Sequence, residues 1–339
     1  MTRTLSLLHI ANEKREQRIW TPPFLDALKE FGGIEILEHG VTMPEAEKAE
    51  QLRSHEVLLT GWGATRCPDE IARDRGNLSY ICNITGELAR FLPVEFIDAG
   101  IQVSNWGDYP ANGVAEGAMA LLLAVIKDMH AQINHVERNG WKMDMHFHGG
   151  TLRGIEVGIY GLGVIGQRFI ELIRPFGAML RVFDPYLKDL PEGCARANSL
   201  KDLFATAKVI VIHTALTAET RNSVNAELLA LLPRHGVVIN TARGCIIDQP
   251  ALFRELESGR LRAGLDVLEP DALPDDHPAR RWTNLILTAH RVDHGWPDFN
   301  EPPTKLNEMQ EICIDNLRRY ARGEKIRFAY DRERYLRST

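Results

Sequence analysis

Three groups of side chains that could take part in proton transfer and anion binding follow the ends of three predicted strands. Arg243 comes after the apolar run 237–239, and a guanidinium there can hold a carboxylate or polarise a carbonyl through two hydrogen bonds. His290 follows the apolar run 285–287, where an imidazole can act as a general acid or base. Between them lies an acidic cluster after Leu265, formed by Asp266, Glu269 and Asp271.

Each group also has an ordinary structural explanation. The arginine could close a loop by bonding carbonyls, the acids could form a solvated loop, and the histidine could be a satisfied core residue. Their combination favours one chemistry, the transfer of a hydride to a 2-oxo acid. That reaction needs a cation to hold the carboxylate and polarise the ketone, a proton donor for the developing alkoxide, and a carboxylate that orients the donor.

A hydride reaction needs a cofactor, and the sequence Gly161-Leu162-Gly163-Val164-Ile165-Gly166 predicts where one binds. A short apolar run, 157–160, precedes it and predicts a strand; residues 164–176 have the periodicity of a helix. In this arrangement Gly161 permits the tight turn, Gly163 lets the backbone approach a pyrophosphate, and Gly166 lets helix and strand pack closely. The diphosphate would meet the positive end of the helix dipole.

A GxGxxG pattern alone also fits a glycine-rich turn in another kind of α/β protein. Asp184 at the end of the next predicted strand, 179–183, makes a dinucleotide the better interpretation, because its carboxylate can accept hydrogen bonds from ribose hydroxyls. The same charge would repel a 2′-phosphate, which favours NAD over NADP. Arg181 and Lys188 lie close by in sequence, and they leave NADP open.

The composition is that of an ordinary globular protein: 339 residues, 44% hydrophobic and 25% charged, long enough for two domains. A net charge of −6 argues against a protein built for nucleic acid or anionic membranes. Five scattered cysteines without a CxxC pair fit a reducing cytoplasm and indicate neither a zinc site nor a disulfide framework. The pair His146 and His148 has no Cys partner at ligand spacing, and we expect no metal.

The whole chain alternates between strand-like and helix-like segments, which predicts parallel sheets covered by helices. Strands are expected first at 5–10, 34–38, 57–60, 80–84 and 101–104, and later at 156–160, 179–183, 208–212, 236–241, 263–267 and 284–288. A last amphipathic helix, about 304–322, is expected to cross back to the first domain. The prediction is therefore a substrate domain of residues 1–107 and 299–339, with a dinucleotide-binding domain of residues 108–298 inserted into it.

Taken together, these motifs resemble the D-isomer-specific 2-hydroxyacid dehydrogenase family over roughly residues 80–325. The matching segments are Leu152-Arg153-Gly154, GLGVIG, Phe183-Asp184-Pro185, the segment 212–217 with Thr220, INTARG at 239–244 with Asp248, LDV at 265–267 and LTAH at 287–290. The resemblance implies two doubly wound parallel-sheet domains, a Rossmann NAD domain inserted into a flavodoxin-like substrate domain. It also implies a homodimer, for which the apolar helix near 114–126 and the span 141–148 are the candidate interface pieces.

The resemblance also assigns roles. Arg243 is similar to the substrate-binding arginine, His290 to the catalytic acid–base and Asp266 to the residue that holds the nicotinamide carboxamide. The substrate carboxylate would be received by backbone N–H groups of the loop 85–88, with Trp62 also facing the substrate. The residues implied at the cofactor are Gly161, Gly163, Val164, Ile165, Gly166, Asp184, Thr214, Thr241, Arg243 and Asp266; those implied at the substrate are Trp62, Gly86, Glu87, Arg243 and His290.

Several positions depart from the family pattern. The histidine's partner is usually a Glu at the position of Asp271, so we predict Asp271 and keep Glu269 as the alternative. Where the family usually has a Pro before the histidine, this chain has Ala289. Arg291 suggests an additional acidic group on the substrate, whereas Glu87 would repel a carboxylate unless it points outward.

The leading hypothesis is an NAD-dependent dehydrogenase that interconverts a small 2-oxo acid and its D-2-hydroxy acid, of glyoxylate or hydroxypyruvate size or larger. A second hypothesis is an NAD(H)-sensing interaction protein on the same fold, resembling the family's corepressors; it would bind NADH without turnover. A third is a formate dehydrogenase, against which the acidic Asp271 counts, because those enzymes typically use a Gln there.

Overall fold

The structure is a computed structural model that describes residues 3–141, 149–293 and 303–337. The chain divides into two compact units, Met1–Tyr109 with Pro297–Thr339, and Pro110–Trp296. The first unit thus ends at 109 where the sequence predicted 107, and it resumes at 297 where the sequence predicted 299. Each unit contains one parallel sheet, and the α/β fold class predicted from the sequence is confirmed.

The strands are short, and half of those described are buried from end to end. They are β1 Leu7–Ile10, β2 Glu35–Leu37, β3 Val57–Thr60, β4 Tyr80–Asn83, β5 Gln102–Ser104, β6 Glu156–Tyr160, β7 Met179–Phe183, β8 Cys194–Arg196, β9 Val209–Ile212, β10 Gly236–Asn240, β11 Leu261–Leu265 and β12 Leu285–Leu287.

The helices alternate with the strands. They are α1 Pro22–Leu28, α2 Glu45–Ser54, α3 Glu95–Asp98, α4 Ala111–Ile126, α5 Met129–Glu137, α6 Val164–Ile173, α7 Leu200–Thr206, α8 Ala226–Leu231, α9 Gln249–Glu257, α10 Glu308–Ala321 and α11 Arg332–Arg337. Single 3₁₀ turns lie at Lys29–Phe31, Asp69–Ala72, Arg174–Phe176, Gly244–Ile246 and Pro278–Arg281.

The first unit has the strand order β2-β1-β3-β4-β5, all parallel, which is the flavodoxin-like order. Its strands are rich in Leu, Ile and Val because helices cover both faces. The C-terminal helix α10 contributes Met309, Cys313, Ile314 and Leu317 to the core that also holds Phe24 of α1. Helix α10 therefore packs on the first unit, to which the sequence analysis expected it to return.

The second unit has the order β12-β11-β10-β9-β6-β7-β8, also parallel. The first strand of this unit, β6, lies inside the sheet, with β7 on one side and β9 on the other. The order of the strands reverses there, and dinucleotides bind at this point in doubly wound sheets. The sequence predicted six strands here, and the described residues of this unit form seven. The extra strand β8 is an edge strand of three residues with little burial, so it has no apolar run to reveal it.

Helix α4 lies within the core of the second unit. Ala115, Leu121 and Leu122 of this helix pack with residues of β6, β9 and β10 in one buried cluster. Gly264 of β11 makes room for it, because a Cβ there would lie 3.1 Å from Leu121. Helix α4 is apolar nearly all round, which could reflect either core packing or an interface between domains or subunits. In the structure, the core of the second unit buries most of this helix.

Candidate active site

The glycine turn follows β6 and opens α6, as predicted. Gly161 has φ +90°, and a Cβ there would lie 2.6 Å from backbone atoms of Thr214; a Cβ on Gly166 would lie 2.6 Å from the carbonyl oxygen of Gly161. Packing within the protein therefore requires both glycines. Gly163 differs, because a Cβ there would meet nothing within 4 Å. Its lack of a side chain leaves open space at the turn, as the approach of a diphosphate requires.

The first turn of α6 is equally open. In the same unit, Ser199, Asn225 and Asp248 each accept a backbone N–H and so cap α7, α8 and α9. Gly163 is the N-cap of α6, and no side chain caps that helix. The N–H groups at the start of a helix need acceptors, and an anion can supply them. The residues at this turn therefore fit the diphosphate of NAD.

Asp184 lies directly after β7, at the same edge of the sheet. Its Oδ2 accepts the N–H of Leu162 at 2.8 Å and its Oδ1 accepts the N–H of Tyr186 at 2.9 Å. A carboxylate offers about four acceptor positions, so ribose hydroxyls can still bind to it. Arg181, one of the two cations that left NADP open, forms an ion pair with Glu156.

The structure places the two side chains of the predicted pair in contact. Nδ1 of His290 lies 2.6 Å from Oδ2 of Asp271, and both side chains are about half exposed, at 51% each. Glu269, the alternative partner, instead accepts the thiol of Cys245 at 2.6 Å. Burial raises the pKa of that thiol above its usual value, and the neighbouring Glu269 adds to the effect. The carboxylate that contacts the imidazole is therefore Asp271.

Asp266 fixes the turn that carries His290. Its carbonyl oxygen accepts the N–H of His290 at 2.6 Å, and its Oδ1 accepts both the hydroxyl of Thr288 at 2.7 Å and the N–H of Arg291 at 2.8 Å. Ala289 and His290 both have positive φ, 55° and 57°. Two successive non-glycine residues in the left-handed region are strained, and such strain persists only where the surroundings impose it.

The same geometry explains a departure from the family pattern. A proline has its φ fixed near about −65°, so the φ of 55° at position 289 is closed to it. This turn therefore excludes proline at position 289. The hydroxyl of Thr288 is a contribution that the sequence did not reveal, because a threonine after a strand is too common to indicate a role.

Arg243 is partly buried after β10, next to the predicted cofactor residue Thr241. Its Nη1 donates to the carbonyl oxygen of Ala242 at 2.8 Å. This is a loop-closing contact of the kind that the sequence analysis gave as the structural explanation for Arg243. One such bond leaves the other donors of the guanidinium for a ligand. Thr241 is buried, and its Oγ1 has no partner among the described residues. A buried hydroxyl of this kind fits a site that a cofactor completes.

His213 follows β9, immediately before the predicted cofactor residue Thr214. Burial lowers the pKa of the His213 imidazole to about 3, so the ring is neutral at ordinary pH. The ring packs against Phe169 of α6, with 5.0 Å between centroids. His213 therefore packs against α6, the helix that the glycine turn opens.

The substrate-binding residues predicted in the first unit lie at the carboxyl edge of its own sheet. Trp62 follows β3, and its ring contacts Trp106 edge-on and the guanidinium of Arg18. Gly86 and Glu87 lie in the loop after β4, and Glu87 is exposed. Two asparagines that sequence reasoning missed hold this loop: Asn83 donates to the carbonyl oxygen of Glu87 at 2.7 Å, and Asn105 donates to that of Gly86 at 2.9 Å.

Within 3–141, 149–293 and 303–337, no cluster of three or more His, Cys, Asp or Glu could hold a metal ion. His146 and His148 lie outside those ranges. No helix in the described part of the chain has the length and apolar character needed to cross a membrane.

Comparison with known proteins matches residues 119–291 to the NAD-binding domain of the D-isomer specific 2-hydroxyacid dehydrogenases. Among relatives, a D-3-phosphoglycerate dehydrogenase of Methanocaldococcus jannaschii is 30% identical over 271 residues, which are 78% of this chain and 51% of that protein. A glyoxylate reductase of Aeropyrum pernix is 33% identical over 235 residues, 66% of this chain and 68% of that protein. The chain thus spans about half the length of the first relative and about two thirds of the second.

A solved structure with the same fold is the D-lactate dehydrogenase of Aquifex aeolicus, determined with NAD and lactic acid. It superposes with a TM-score of 0.74 at 22% identity, covering 94% of this chain and 96% of that one. Similarity at this level of identity concerns the fold. It supports two parallel-sheet units of the kind described above.

Proposed function

The chain belongs to the D-isomer specific 2-hydroxyacid dehydrogenase family, and we propose that it reduces a small 2-oxo acid to the D-2-hydroxy acid with NADH, or catalyses the reverse oxidation. Family membership makes it an NAD-binding oxidoreductase. The observation that carries the proposed chemistry is the contact of 2.6 Å between His290 and Asp271. An exposed imidazole held by a carboxylate is suited to proton transfer with a bound substrate.

The roles of the residues follow from their chemistry. NADH, when bound, supplies the hydride. His290 donates a proton to the substrate's carbonyl oxygen, using Nε2, because Nδ1 is engaged by Asp271. Asp271 stabilises the imidazolium and sets the orientation of the ring. Arg243 holds the substrate and stabilises the charge that develops on its oxygen, using the donors that Ala242 does not occupy.

The remaining assignments concern binding. We propose that the first turn of α6, with Gly163, Val164 and Ile165, binds the diphosphate, that Asp184 binds the adenosine ribose, and that Thr214, Thr241 and Asp266 complete the NAD site. For the substrate, the proposal is that backbone N–H groups of the loop 85–88 bind the carboxylate and that Trp62 contacts the rest of the molecule. The exposure of Glu87 supports this proposal, because its charge need not face a carboxylate.

The test is NADH oxidation with glyoxylate, hydroxypyruvate and bulkier 2-oxo acids, repeated with NADPH. We expect turnover of at least one 2-oxo acid and a loss of about 10²–10⁴-fold in kcat for His290→Ala. Near-normal activity of that variant would contradict the assigned acid–base role. An NADH-sensing protein without catalysis would bind NADH yet turn over none of the acids, and the comparisons give that alternative no support.

The working assembly is proposed to be a homodimer in the cytoplasm. Helix α5 buries none of its residues, and Met129, Ile133 and Val136 on one of its faces are 46%, 52% and 51% exposed. Trp141, which follows the helix, is 68% exposed. An apolar stripe of this kind is typical of a protein interface. The cysteines of the described chain are all free thiols, which supports a reducing compartment.

A further inference from the structure

Asn105 connects three parts of the first unit. Its side chain is 5% exposed and follows β5 directly. One amide donates to the carbonyl oxygen of Gly86 at 2.9 Å and to the hydroxyl oxygen of Tyr330 at 3.0 Å, while Oδ1 accepts the N–H of Gly107 at 2.9 Å. Both amide hydrogens and the amide oxygen are therefore used. A rotated amide would place its oxygen against the Gly86 carbonyl, so these contacts fix its orientation.

These bonds determine which way the loop 85–88 presents its backbone. The carbonyl of Gly86 is held by Asn105 and the carbonyl of Glu87 by Asn83. In a trans peptide the C=O of one residue and the N–H of the next point in opposite directions. The N–H groups of Glu87 and Leu88 therefore point away from the two asparagines. In the part of the chain that the structure describes, no hydrogen bond uses either group.

The ring of Trp106 also confines the loop. A Cβ on Gly86 would lie 2.7 Å from the indole nitrogen of Trp106. Only glycine allows the ring to lie this close to the loop backbone. The loop is thus confined between an aromatic ring and two amides, which is the rigid presentation that a small anion-binding site requires.

Tyr330 belongs to the C-terminal segment, residues 326–337, which runs along the open edge of β5. The N–H of Tyr330 donates to Val103 at 2.8 Å, and Ala329 forms an antiparallel bridge with Ser104. Asn316 of α10 anchors the start of the segment through both the N–H and the carbonyl of Arg327. At its far end, the hydroxyl of Tyr335 donates to the carbonyl oxygen of Leu92 at 2.6 Å.

We propose that this C-terminal segment is a positioning element of the substrate site. Tyr330 orients the Asn105 amide, and Asn105 in turn holds the loop so that its N–H groups can receive the carboxylate of the 2-oxo acid. Tyr330 and Asn105 are positioning residues that need not touch the substrate. The inference rests on the proposed function for the part played by the carboxylate, whereas the order of the loop does not depend on it.

Two tyrosines of the same segment provide matched variants. Tyr330→Phe removes the hydroxyl that binds Asn105, and Tyr335→Phe removes a hydroxyl that fastens the segment elsewhere. For Tyr330→Phe we expect the KM of the 2-oxo acid to rise about two- to tenfold, the worth of one neutral hydrogen bond, with kcat and the KM of NADH unchanged. Tyr335→Phe should lower the Tm and leave the KM unchanged. An unchanged KM in Tyr330→Phe, or an equal rise in both variants, overturns the proposal.

A double-mutant cycle tests whether the tyrosine acts through the asparagine. Asn105→Ala removes the side-chain hydrogen bonds to Gly86, Gly107 and Tyr330, and it offers the Tyr330 hydroxyl no new acceptor, as a carboxylate would. The KM of this variant should rise at least as far as that of Tyr330→Phe. Adding Tyr330→Phe to it should change nothing further, because the contact is already lost. Multiplicative effects of the two substitutions would contradict the inferred route.

Hydrogen exchange separates this inference from the proposed function. In the full chain without substrate, amides of peptides spanning 84–92 should exchange faster in Tyr330→Phe than in the parent or in Tyr335→Phe. Equal exchange in all three proteins overturns the positioning role, whatever the enzyme turns over. Faster exchange together with a parent that reduces no 2-oxo acid supports the positioning role and refutes the proposed function.

Discussion

Nδ1 of His290 lies 2.6 Å from Oδ2 of Asp271, while Glu269, two residues before Asp271, accepts a hydrogen bond from the thiol of Cys245. The chain thus places two carboxylates near the turn and gives them different partners. Because His290 and Asp271 are each about half exposed, their attraction contributes little to folding stability. Under the proposed function, this contact would fix the imidazole and leave Nε2 for the substrate.

Replacing the two carboxylates separately tests this division. We expect Asp271→Asn to lower kcat by about 10²-fold, because the imidazolium loses its ionic partner and the neutral amide can favour the wrong tautomer. Glu269→Gln is the matched control, and it should retain kcat within a fewfold, since it alters a contact with Cys245. Steady-state kinetics in the direction of 2-oxo acid reduction measure both. A larger loss in Glu269→Gln would mean that the two acids exchange roles when substrate binds.

The glycine turn offers a second matched pair. Gly163→Ala adds a methyl group that meets no protein atom within 4 Å, so the Tm should be unchanged while the KM of NADH rises about tenfold or more. Gly161→Ala should instead lower the Tm, because alanine is strained at φ +90° and its Cβ would lie 2.6 Å from the backbone of Thr214. Thermal denaturation and NADH titration distinguish the two. A destabilised Gly163→Ala with normal NADH binding would refute a diphosphate site at this residue.

Much of the architecture could be predicted because its signals are local. Strands β3 and β6 are built around the short apolar runs 57–59 and 157–160, and the glycine turn has a steric cause that the sequence displays. Parallel strands bring their carboxyl ends to one edge of a sheet, so Asp184, Arg243 and His290 could be assigned to one edge without a structure. The pairing of His290 with Asp271 was implied by the resemblance to the family, which left Glu269 as the alternative, and the geometry supports Asp271.

Features that depend on tertiary contacts could not be predicted in this way. The positive φ at Ala289 and His290 depends on three hydrogen bonds to Asp266, which lies more than twenty residues earlier. The contact of Asn105 with Gly86 and Tyr330 joins three distant parts of the chain. The edge strand β8 gains order from pairing with β7 and has no hydrophobic pattern of its own. Propensity and periodicity contain no information about such contacts.

The proposed dimer can be tested on α5. We expect Ile133→Glu to convert the protein to a monomer, because a charge in the middle of the apolar stripe of Met129, Ile133 and Val136 would be buried without a partner. Leu336→Glu is the control, since Leu336 on α11 is similarly exposed, at 54%. Light scattering coupled to size-exclusion chromatography gives the mass of each. A monomeric parent, or a dimer that survives Ile133→Glu and dissociates in Leu336→Glu, would refute this interface.

Two buried histidines predict how stability depends on pH. Burial lowers the pKa of His9 from 6.5 to about 4 and that of His213 from 6.5 to about 3. The unfolded chain therefore takes up protons at these residues as the pH falls below 6.5, while the folded protein does not, so stability is complete above that pH and decreases below it. Each histidine contributes a slope of up to about 1.4 kcal/mol per pH unit.

Urea denaturation between about pH 6.5 and pH 5, mostly above the range in which carboxylates titrate, measures the combined slope. His213→Leu, which removes one group and keeps an apolar contact with Phe169, should reduce that slope by about half. An unchanged slope in this variant would show that His213 does not remain neutral in the folded protein.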